Sequence, residues 1–298
     1  MHAHLLPEQW IDTVHFFLGK KKQYAKSHIA GIDGFAGSKL MANSFLKVSL
    51  PLIPFEVMDD PVAENCLSLE GQQYFVQTLV RASLKPYGIC WLGPPCSWWV
   101  WVSRSVHQQS IDNPLGNVTH PKVEFHNALA DFVANVIWTC AALGVYFVLE
   151  QPVGSLFVQH PRVKAALRDV HSVRIKIHLY KFGATSQKPL QLWGTAPWLI
   201  DLEQIANHIN APVPRGVLYT IGHNGQVTGK KEAMAKSTAY PEAFCDVVAF
   251  LHQSFLSIKA NEAKATKQIV HMFVLQSRPQ LQHLWFEDSL IELLVLTR

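Results

Sequence analysis

The sequence predicts an α/β protein whose core is a doubly wound, mostly parallel sheet. From residue 28 to about residue 180, apolar segments typical of strands alternate with segments of helical periodicity. One apolar run, Val145–Leu149, is continuous, as expected for a central parallel strand with both faces buried. The chain has 298 residues, of which 49% are hydrophobic and 16% are charged, so it can bury a sizeable core.

The first half of the chain predicts three strands joined by helices. Residues 1–27 are expected to form a leader that contains one amphipathic helix, because its apolar side chains recur at helical spacing. From there a strand, a helix, a strand, a helix and a strand follow, with the bounds His28–Phe35, Ser38–Val48, Leu50–Val57, Gly71–Leu84 and Ile89–Leu92.

The second half begins with a long predicted helix over residues 123–143, which should end at Gly144, a natural C-cap. After it come a strand, a helix, a strand and a last amphipathic helix, with the bounds Val145–Leu149, 161–170, Val173–Tyr180 and Pro241–Ile258. Glycine and proline are frequent in residues 195–230, which predict a loop-rich region. The domain is thus expected to span residues 28–258, with a tail of uncertain structure at residues 259–298.

The composition excludes several classes of protein. The five cysteines are odd in number and never spaced as C-x-x-C, and the histidines form no H-E-x-x-H pattern, so we expect neither a disulfide framework nor a bound metal. The longest apolar stretch, Phe125–Leu143, is interrupted by polar side chains and indicates a buried helix rather than a membrane span. We recognise no secretory signal and expect an intracellular protein, nuclear or cytoplasmic. The net charge of +4 is compatible with an anionic partner.

A rigid turn presents one cysteine at the end of the third predicted strand. The turn is Gly93-Pro94-Pro95-Cys96-Ser97, and its prolines restrict their own φ and the conformation of the residue before them. Open α/β folds bind their ligands outside the carboxyl ends of the strands. Cys96 is therefore the first candidate for chemistry, whereas Cys90 and Cys140 are expected to be inert buried thiols.

A carboxylate follows the next predicted strand. Glu150, in Glu150-Gln151-Pro152, comes directly after the apolar run Val145–Leu149, where a charge is costly unless it is paired or functional. Because consecutive strands are usually adjacent, we expect Cys96 and Glu150 to lie at neighbouring strand ends.

The first predicted strand runs into a glycine-bearing turn, Ile32–Ser38. Its small residues allow a ligand to approach the backbone, and the helix that follows offers unpaired N–H groups. Glu56 ends the second strand, where open α/β nucleotide sites bind a ribose. For each feature an ordinary alternative stays open, namely turn chemistry for the glycines and a solvated surface carboxylate for Glu56.

Taken in order, these motifs resemble the DNA (cytosine-5)-methyltransferase family. That family combines a D-x-F-x-G cofactor turn with a strand-end glutamate, a P-P-C nucleophile turn and an E-N-[VP] motif. The matching segments, within residues 28–258, are Asp33-Gly34-Phe35-Ala36-Gly37, Glu56, Gly93-Pro94-Pro95-Cys96-Ser97 and Glu150-Gln151-Pro152. Further along, Phe182-Gly183 together with Gln187–Trp193 is similar to a target-contacting segment of the family, and Ser237–Pro241 is similar to its closing motif.

The resemblance implies a Rossmann-like methyltransferase sheet and S-adenosylmethionine-dependent methyl transfer to C5 of cytosine. It implies that Cys96 adds to the pyrimidine and that Glu150 hydrogen-bonds its N3 side. The residues implied to line the cofactor site are Phe35, Ala36, Gly37, Glu56, Pro94 and Thr238, and those implied to contact the substrate are Ser97 and Lys188. The implied partner is DNA, with RNA an open alternative, and residues 195–230 would stand in place of a target-recognition domain.

Other interpretations stay open. The chain could keep the fold without catalysis, as a cofactor- or nucleic-acid-binding module. An amino-group methyltransferase is a third option, although those enzymes usually carry an aromatic residue where this chain has Cys96. The tryptophans after the turn could stack on a base or fill space under a loop; they are Trp98, Trp99 and Trp101.

Overall fold

In the computed structural model, six strands form one sheet in the order β2-β1-β3-β4-β6-β5. Their bounds are β1 Gly31–Gly34, β2 Leu52–Phe55, β3 Ile89–Leu92, β4 Tyr146–Pro152, β5 Val173–His178 and β6 Pro189–Gly194. The pairings from β2 to β4 are parallel, whereas β6 is antiparallel to both of its neighbours, β4 and β5. The result is a mixed α/β fold that is compatible with the predicted Rossmann-like architecture.

The structure describes residues 6–24, 28–187, 189–215, 219–221, 227–229 and 239–277. This part of the chain contains eight α-helices, with the bounds α1 Glu8–Gly19, α2 Leu40–Lys47, α3 Leu69–Ala82, α4 Arg104–His107, α5 Pro121–Leu143, α6 Pro161–Asp169, α7 Leu199–His208 and α8 Glu242–Ser277. Two short strands, β7 Tyr219–Ile221 and β8 Val227–Gly229, form a separate antiparallel pair. The chain divides into two compact units at residues 1–250 and 251–298.

The helix ends follow local chemistry. Ser68 caps the N-terminus of α3, and its hydroxyl accepts a hydrogen bond from the Gly71 N–H at 3.0 Å. Helix α5 has Pro121 in its first turn and ends, as predicted, at Gly144, which adopts the left-handed conformation with φ of 68°.

Apolar side chains of the strands meet helices on both faces of the sheet. On one face, Ile32, Leu92 and Leu149 belong to the same buried cluster as Phe75 of α3 and Phe132 of α5. On the opposite face, Trp91 of β3 packs edge to face against Phe244 in the first turns of α8, with ring centroids 6.0 Å apart.

The N-terminal helix packs against this domain. The Trp10 indole N–H donates to the Thr139 hydroxyl at 2.8 Å, and the Trp10 ring meets Phe132 edge to face at 5.7 Å. Trp10, Val14 and Phe17 are all buried, so α1 contributes its apolar face to the core.

Several elements differ from the sequence-based predictions. Residues 195–230, expected to be loop-rich, include helix α7, which buries Leu199, Leu202 and Ala206. The prolines on either side of α7 mark its limits, and its apolar residues have the spacing of a helix face. Strand β6 lies between β4 and β5, and α8 extends well past Ile258 to Ser277.

Candidate active site

The carboxyl ends of β1, β3 and β4 bring the predicted motifs together. Residue pairing between β3 and β4 ends with Leu92 opposite Leu149, so the next residues along the two strands are Gly93 and Glu150. The predicted adjacency of the two strands is therefore confirmed. The prediction that Glu150 follows its strand is wrong, because β4 continues through Glu150 to Pro152, where β6 pairs with it. Strand β1 has β2 on one side and β3 on the other, which makes the space outside β1 and β3 the switch point where open α/β sheets bind ligands.

Glu150 is buried and has a phenol as a partner. Glu150 is only 8% exposed, and its Oε2 accepts a hydrogen bond from the Tyr240 hydroxyl at 3.2 Å. The Trp91 indole N–H in turn donates to the Tyr240 oxygen at 3.3 Å. Burial, and then the nearby charge of Glu150, raise the pKa of Tyr240 well above its ordinary value, so the phenol stays protonated at neutral pH.

Gly93 leaves the space into which Tyr240 reaches. A Cβ atom built on Gly93 would lie 2.7 Å from the Tyr240 hydroxyl oxygen and 3.9 Å from Glu150 Oε2. A side chain at this position would therefore collide with the phenol. The glycine that opens the cysteine turn is required by this close approach.

The cysteine turn is tied to the end of β4. The Gln151 side-chain amide donates to the Pro94 carbonyl at 2.9 Å, and the Ser155 hydroxyl donates to Gln151 Oε1 at 2.8 Å. The backbone N–H of Trp99 donates to the Cys96 carbonyl at 2.9 Å, which closes the turn after the cysteine. These bonds fix the backbone on both sides of Cys96.

Cys96 differs from the other cysteines in its exposure. It is partly exposed, and Ser97 beside it is exposed, whereas Cys66, Cys90, Cys140 and Cys245 are buried. Burial raises the pKa of Cys66 to about 12 and raises that of Cys90 well above its ordinary value. Because the thiolate is the reactive form, these two thiols are inert at neutral pH, as the sequence predicted for Cys90.

The glycine turn after β1 lies against the end of β2. Phe35 and Gly37 adopt positive φ angles of 63° and 49°, and the N–H groups of Phe35 and Ala36 donate to the Phe55 carbonyl. The Gly37 N–H donates to Glu56 Oε2 at 2.9 Å, and the Met58 N–H donates to Glu56 Oε1 at 3.2 Å. A Cβ built on Gly37 would meet nothing within 4 Å, so the turn borders open space.

Two ionisable groups flank this turn. Asp33, only 2% exposed, accepts a hydrogen bond from the Ala42 N–H at 3.1 Å, and burial raises the pKa of Asp33 to about 7. Lys39 stands at the start of α2 in the left-handed conformation, and its ammonium forms an ion pair with Asp59 at 2.7 Å.

The tryptophans after Cys96 have different environments. Trp99 is fully buried and meets Phe157 edge to face at 5.3 Å, so it fills space under the loop. Trp98 stacks on His126 with ring centroids 5.4 Å apart, and burial lowers the pKa of His126 to about 4. Only Trp101 of the three is exposed, at 42%.

In the described part of the chain, the predicted site residues fall into two groups, one where β1 and β2 end and one beside β3 and β4. Glu56 lies beside Gly37, and Glu150 lies beside Gly93. Lys188 and Thr238 lie outside the described residues. Sequence reasoning gave Tyr240 no role, although the closing motif Ser237–Pro241 contains it; the signal was a tyrosine next to the proline that precedes a helix.

Within the described ranges, no group of three or more His, Cys, Asp or Glu side chains is arranged to hold a metal ion. None of the described helices is long and apolar enough to cross a membrane. Comparisons of the chain with protein-family models, with curated proteins and with solved structures found no match.

Proposed function

We propose that this protein transfers a methyl group from S-adenosylmethionine to C5 of cytosine in DNA. The observation that supports the proposal is the arrangement at the strand ends: a turn that carries an accessible cysteine adjoins a buried glutamate across β3 and β4. Both lie next to the switch point of the sheet, where a glycine turn meets a strand-end acid.

The residues at the switch point fit a nucleoside cofactor. Gly37 borders open space, and Glu56 is within hydrogen-bonding reach of that turn, where a ribose would need an acceptor. Phe35, Ala36, Gly37, Glu56 and Pro94 would hold the cofactor. When bound, S-adenosylmethionine supplies an electrophilic methyl group on a sulfonium centre.

Cys96 and Glu150 have the chemistry that the pyrimidine needs. The Cys96 thiolate adds to C6, and the electron pair of the C5–C6 double bond moves to C5, which becomes nucleophilic. The Glu150 carboxyl group, in its protonated form, would donate a hydrogen bond to N3 of the ring, where negative charge also develops. Attack of C5 on the methyl group would break its bond to the sulfonium sulfur and release S-adenosylhomocysteine. Loss of the C5 proton to water or another base would then re-form the C5–C6 double bond and expel the Cys96 thiolate.

A duplex substrate has to release its base for this reaction. The target cytosine would leave the stack and enter the site between Cys96 and Glu150. Ser97, which is exposed beside the cysteine, would contact the flipped nucleotide, and we assign Lys188 to the same role.

The decisive experiment measures transfer of a labelled methyl group to DNA by the wild-type protein, by Cys96→Ser and by Cys140→Ala. Cys140 is buried in α5 and serves as a matched control, so its variant should retain activity. The Cys96 variant should lose transfer, and only chains with Cys96 should form a covalent adduct with a cytosine analogue. Equal activity of wild type and Cys96→Ser would overturn the proposal.

One observation favours a second candidate, a module that binds a cofactor or nucleic acid without turnover. Both carboxylate oxygens of Glu56 already accept backbone N–H groups within the chain, from Gly37 and Met58. Calorimetric titration with S-adenosylmethionine separates the two candidates when it is combined with the transfer assay. Binding with no transfer to any DNA would support the module.

A further inference from the structure

Tyr240 makes a directed hydrogen bond to Glu150. An indole N–H can only donate, so the bond from Trp91 at 3.3 Å uses the phenol oxygen as an acceptor. The single phenol proton then points to Glu150 Oε2, 3.2 Å away. The two bonds together fix the direction in which Tyr240 donates.

The position of Tyr240 is itself held from several sides. Its ring packs against Trp91 and Phe244, with centroids 6.0 Å and 5.6 Å away. Two residues later the first turn of α8 begins, and Lys47 of α2 binds Glu242 at 2.6 Å and Asp246 at 2.9 Å. Segment 240–246 is therefore anchored to both the sheet and α2.

The absence of a side chain at Gly93 leaves room for the contact between Tyr240 and Glu150. Gly93 is the residue next to Glu150 across the strands, and even a methyl group there would approach the Tyr240 oxygen to 2.7 Å. Because burial and the charge of Glu150 hold the pKa of Tyr240 well above its ordinary value, the hydroxyl remains a donor at neutral pH.

We propose that Tyr240 is a positioning residue, whose hydroxyl holds Oε2 of Glu150 so that this carboxyl group meets the N3 side of the pyrimidine. The inference rests on the proposed function. A glutamate side chain has several rotamers, and ordering it at the moment of reaction would slow the reaction. One hydrogen bond from a rigid aromatic ring removes that cost beforehand.

The experiment follows covalent adduct formation with DNA that contains 5-azacytosine, an analogue whose C6 accepts a thiolate without a methyl donor. Four chains are compared: wild type, Tyr240→Phe, Glu150→Ala and the double variant. Tyr240→Phe should lower the maximal adduct rate about tenfold, the effect of losing one hydrogen bond to a charged group, and leave DNA affinity unchanged. In the Glu150→Ala background the same substitution should change the rate by less than about twofold.

Tyr74→Phe is the matched control, because Tyr74 stacks on Phe55 away from Glu150 and its variant should react like wild type. A second variant, Trp91→Phe, removes the donor that directs the phenol and should also slow the adduct. It provides the test if Tyr240→Phe does not fold, as judged by near-ultraviolet circular dichroism.

The outcomes separate this inference from the function on which it rests. If the wild-type chain forms no adduct, the proposed function fails and the role of Tyr240 fails with it. If wild type and Tyr240→Phe react equally fast, only the inference is overturned. It is also overturned if the substitution slows the adduct by the same factor in both backgrounds, since Tyr240 would then act through some group other than Glu150.

Discussion

The side-chain amide of Gln151 binds the carbonyl oxygen of Pro94 at 2.9 Å, and this bond joins the end of β4 to the turn that carries Cys96. Gln151 has no exposed surface, and its own carbonyl oxygen accepts the Ser155 hydroxyl. The amide uses its donor on one partner and its acceptor on the other. An isosteric side chain that cannot donate would break the link at the turn.

Gln151→Glu should therefore destabilise the protein by about 3 kcal/mol, because a carboxylate would face the Pro94 carbonyl and bury an unpaired charge. Urea unfolding followed by circular dichroism measures the change. Gln204→Glu, on the exposed side of α7, is the control and should stay within about 0.5 kcal/mol of wild type. Equal stability of the two variants would contradict the proposed link.

Gly93→Ala should destabilise the protein by about 1–3 kcal/mol, because the new methyl group would lie 2.7 Å from the Tyr240 oxygen. The destabilisation should nearly vanish in the Tyr240→Phe background. There the hydroxyl is gone, and the nearest remaining ring atom, Cζ, lies 3.8 Å from the new Cβ, an ordinary contact distance. Urea unfolding of wild type, Gly93→Ala, Tyr240→Phe and the double variant measures the coupling between the two positions. Gly19→Ala, where a Cβ meets nothing within 4 Å, is the control; additive effects of the two substitutions would contradict the prediction.

Asp33 should make the protein less stable as the pH rises towards neutral. Burial raises the pKa of Asp33 to about 7 from its ordinary value of 3.8, so the folded chain holds a proton that the unfolded chain has lost between these values. The contribution of Asp33 is full below about pH 3.8 and declines by about 1.4 kcal/mol per pH unit until the pH reaches about 7.

Asp33→Asn should remove this part of the pH dependence, because the amide oxygen can still accept the Ala42 N–H and carries no charge. Urea unfolding at a series of pH values, for wild type and variant, gives the difference directly. The variant should gain on wild type from pH 4 to pH 7, in the window set by the shifted pKa. Parallel stability curves would show that Asp33 does not titrate as the burial implies.

A thiol-alkylating reagent should label Cys96 first in the native protein. Cys96 is partly exposed, while burial shields the other four cysteines and keeps the pKa of Cys66 at about 12. Mass spectrometry after a short reaction near neutral pH identifies the labelled residue, and Cys96→Ser should remove most of the label. Labelling spread evenly over several cysteines would contradict the structure of the turn.

Most strands and helices between residues 28 and 178 were predictable from helical spacing or from short apolar runs, whereas the short helix α4 was not predicted. The order of the strands in the sheet was harder to predict from the sequence. Strand β6 inserts between β4 and β5, and the choice depends on hydrogen bonds across the sheet rather than on any pattern within Pro189–Gly194. Helix α7 was missed because the prolines around it were interpreted as loop signals.

The site was predictable where motifs lie at strand ends. Glu150 beside the cysteine turn follows from two consecutive apolar strands, and the structure confirms that these strands pair in parallel. Tyr240 could not be found in this way, because it is 90 residues from Glu150 in the chain. Its contact exists only because α8 returns to the sheet and Gly93 has no side chain to block it.

Cys96 and Glu150, the two reactive side chains of the proposed site, lie on different kinds of backbone. Strand β3 ends at Leu92, whereas β4 continues through Glu150 to Pro152 with β6 paired alongside. Glu150 thus lies within the sheet, while Cys96 lies on a turn held by hydrogen bonds at Gly93, Pro94, Ser97 and Trp99. In the proposed site, the separation of Cys96 and Glu150 would therefore depend on the side chains that hold the turn, above all Gln151 and Ser103.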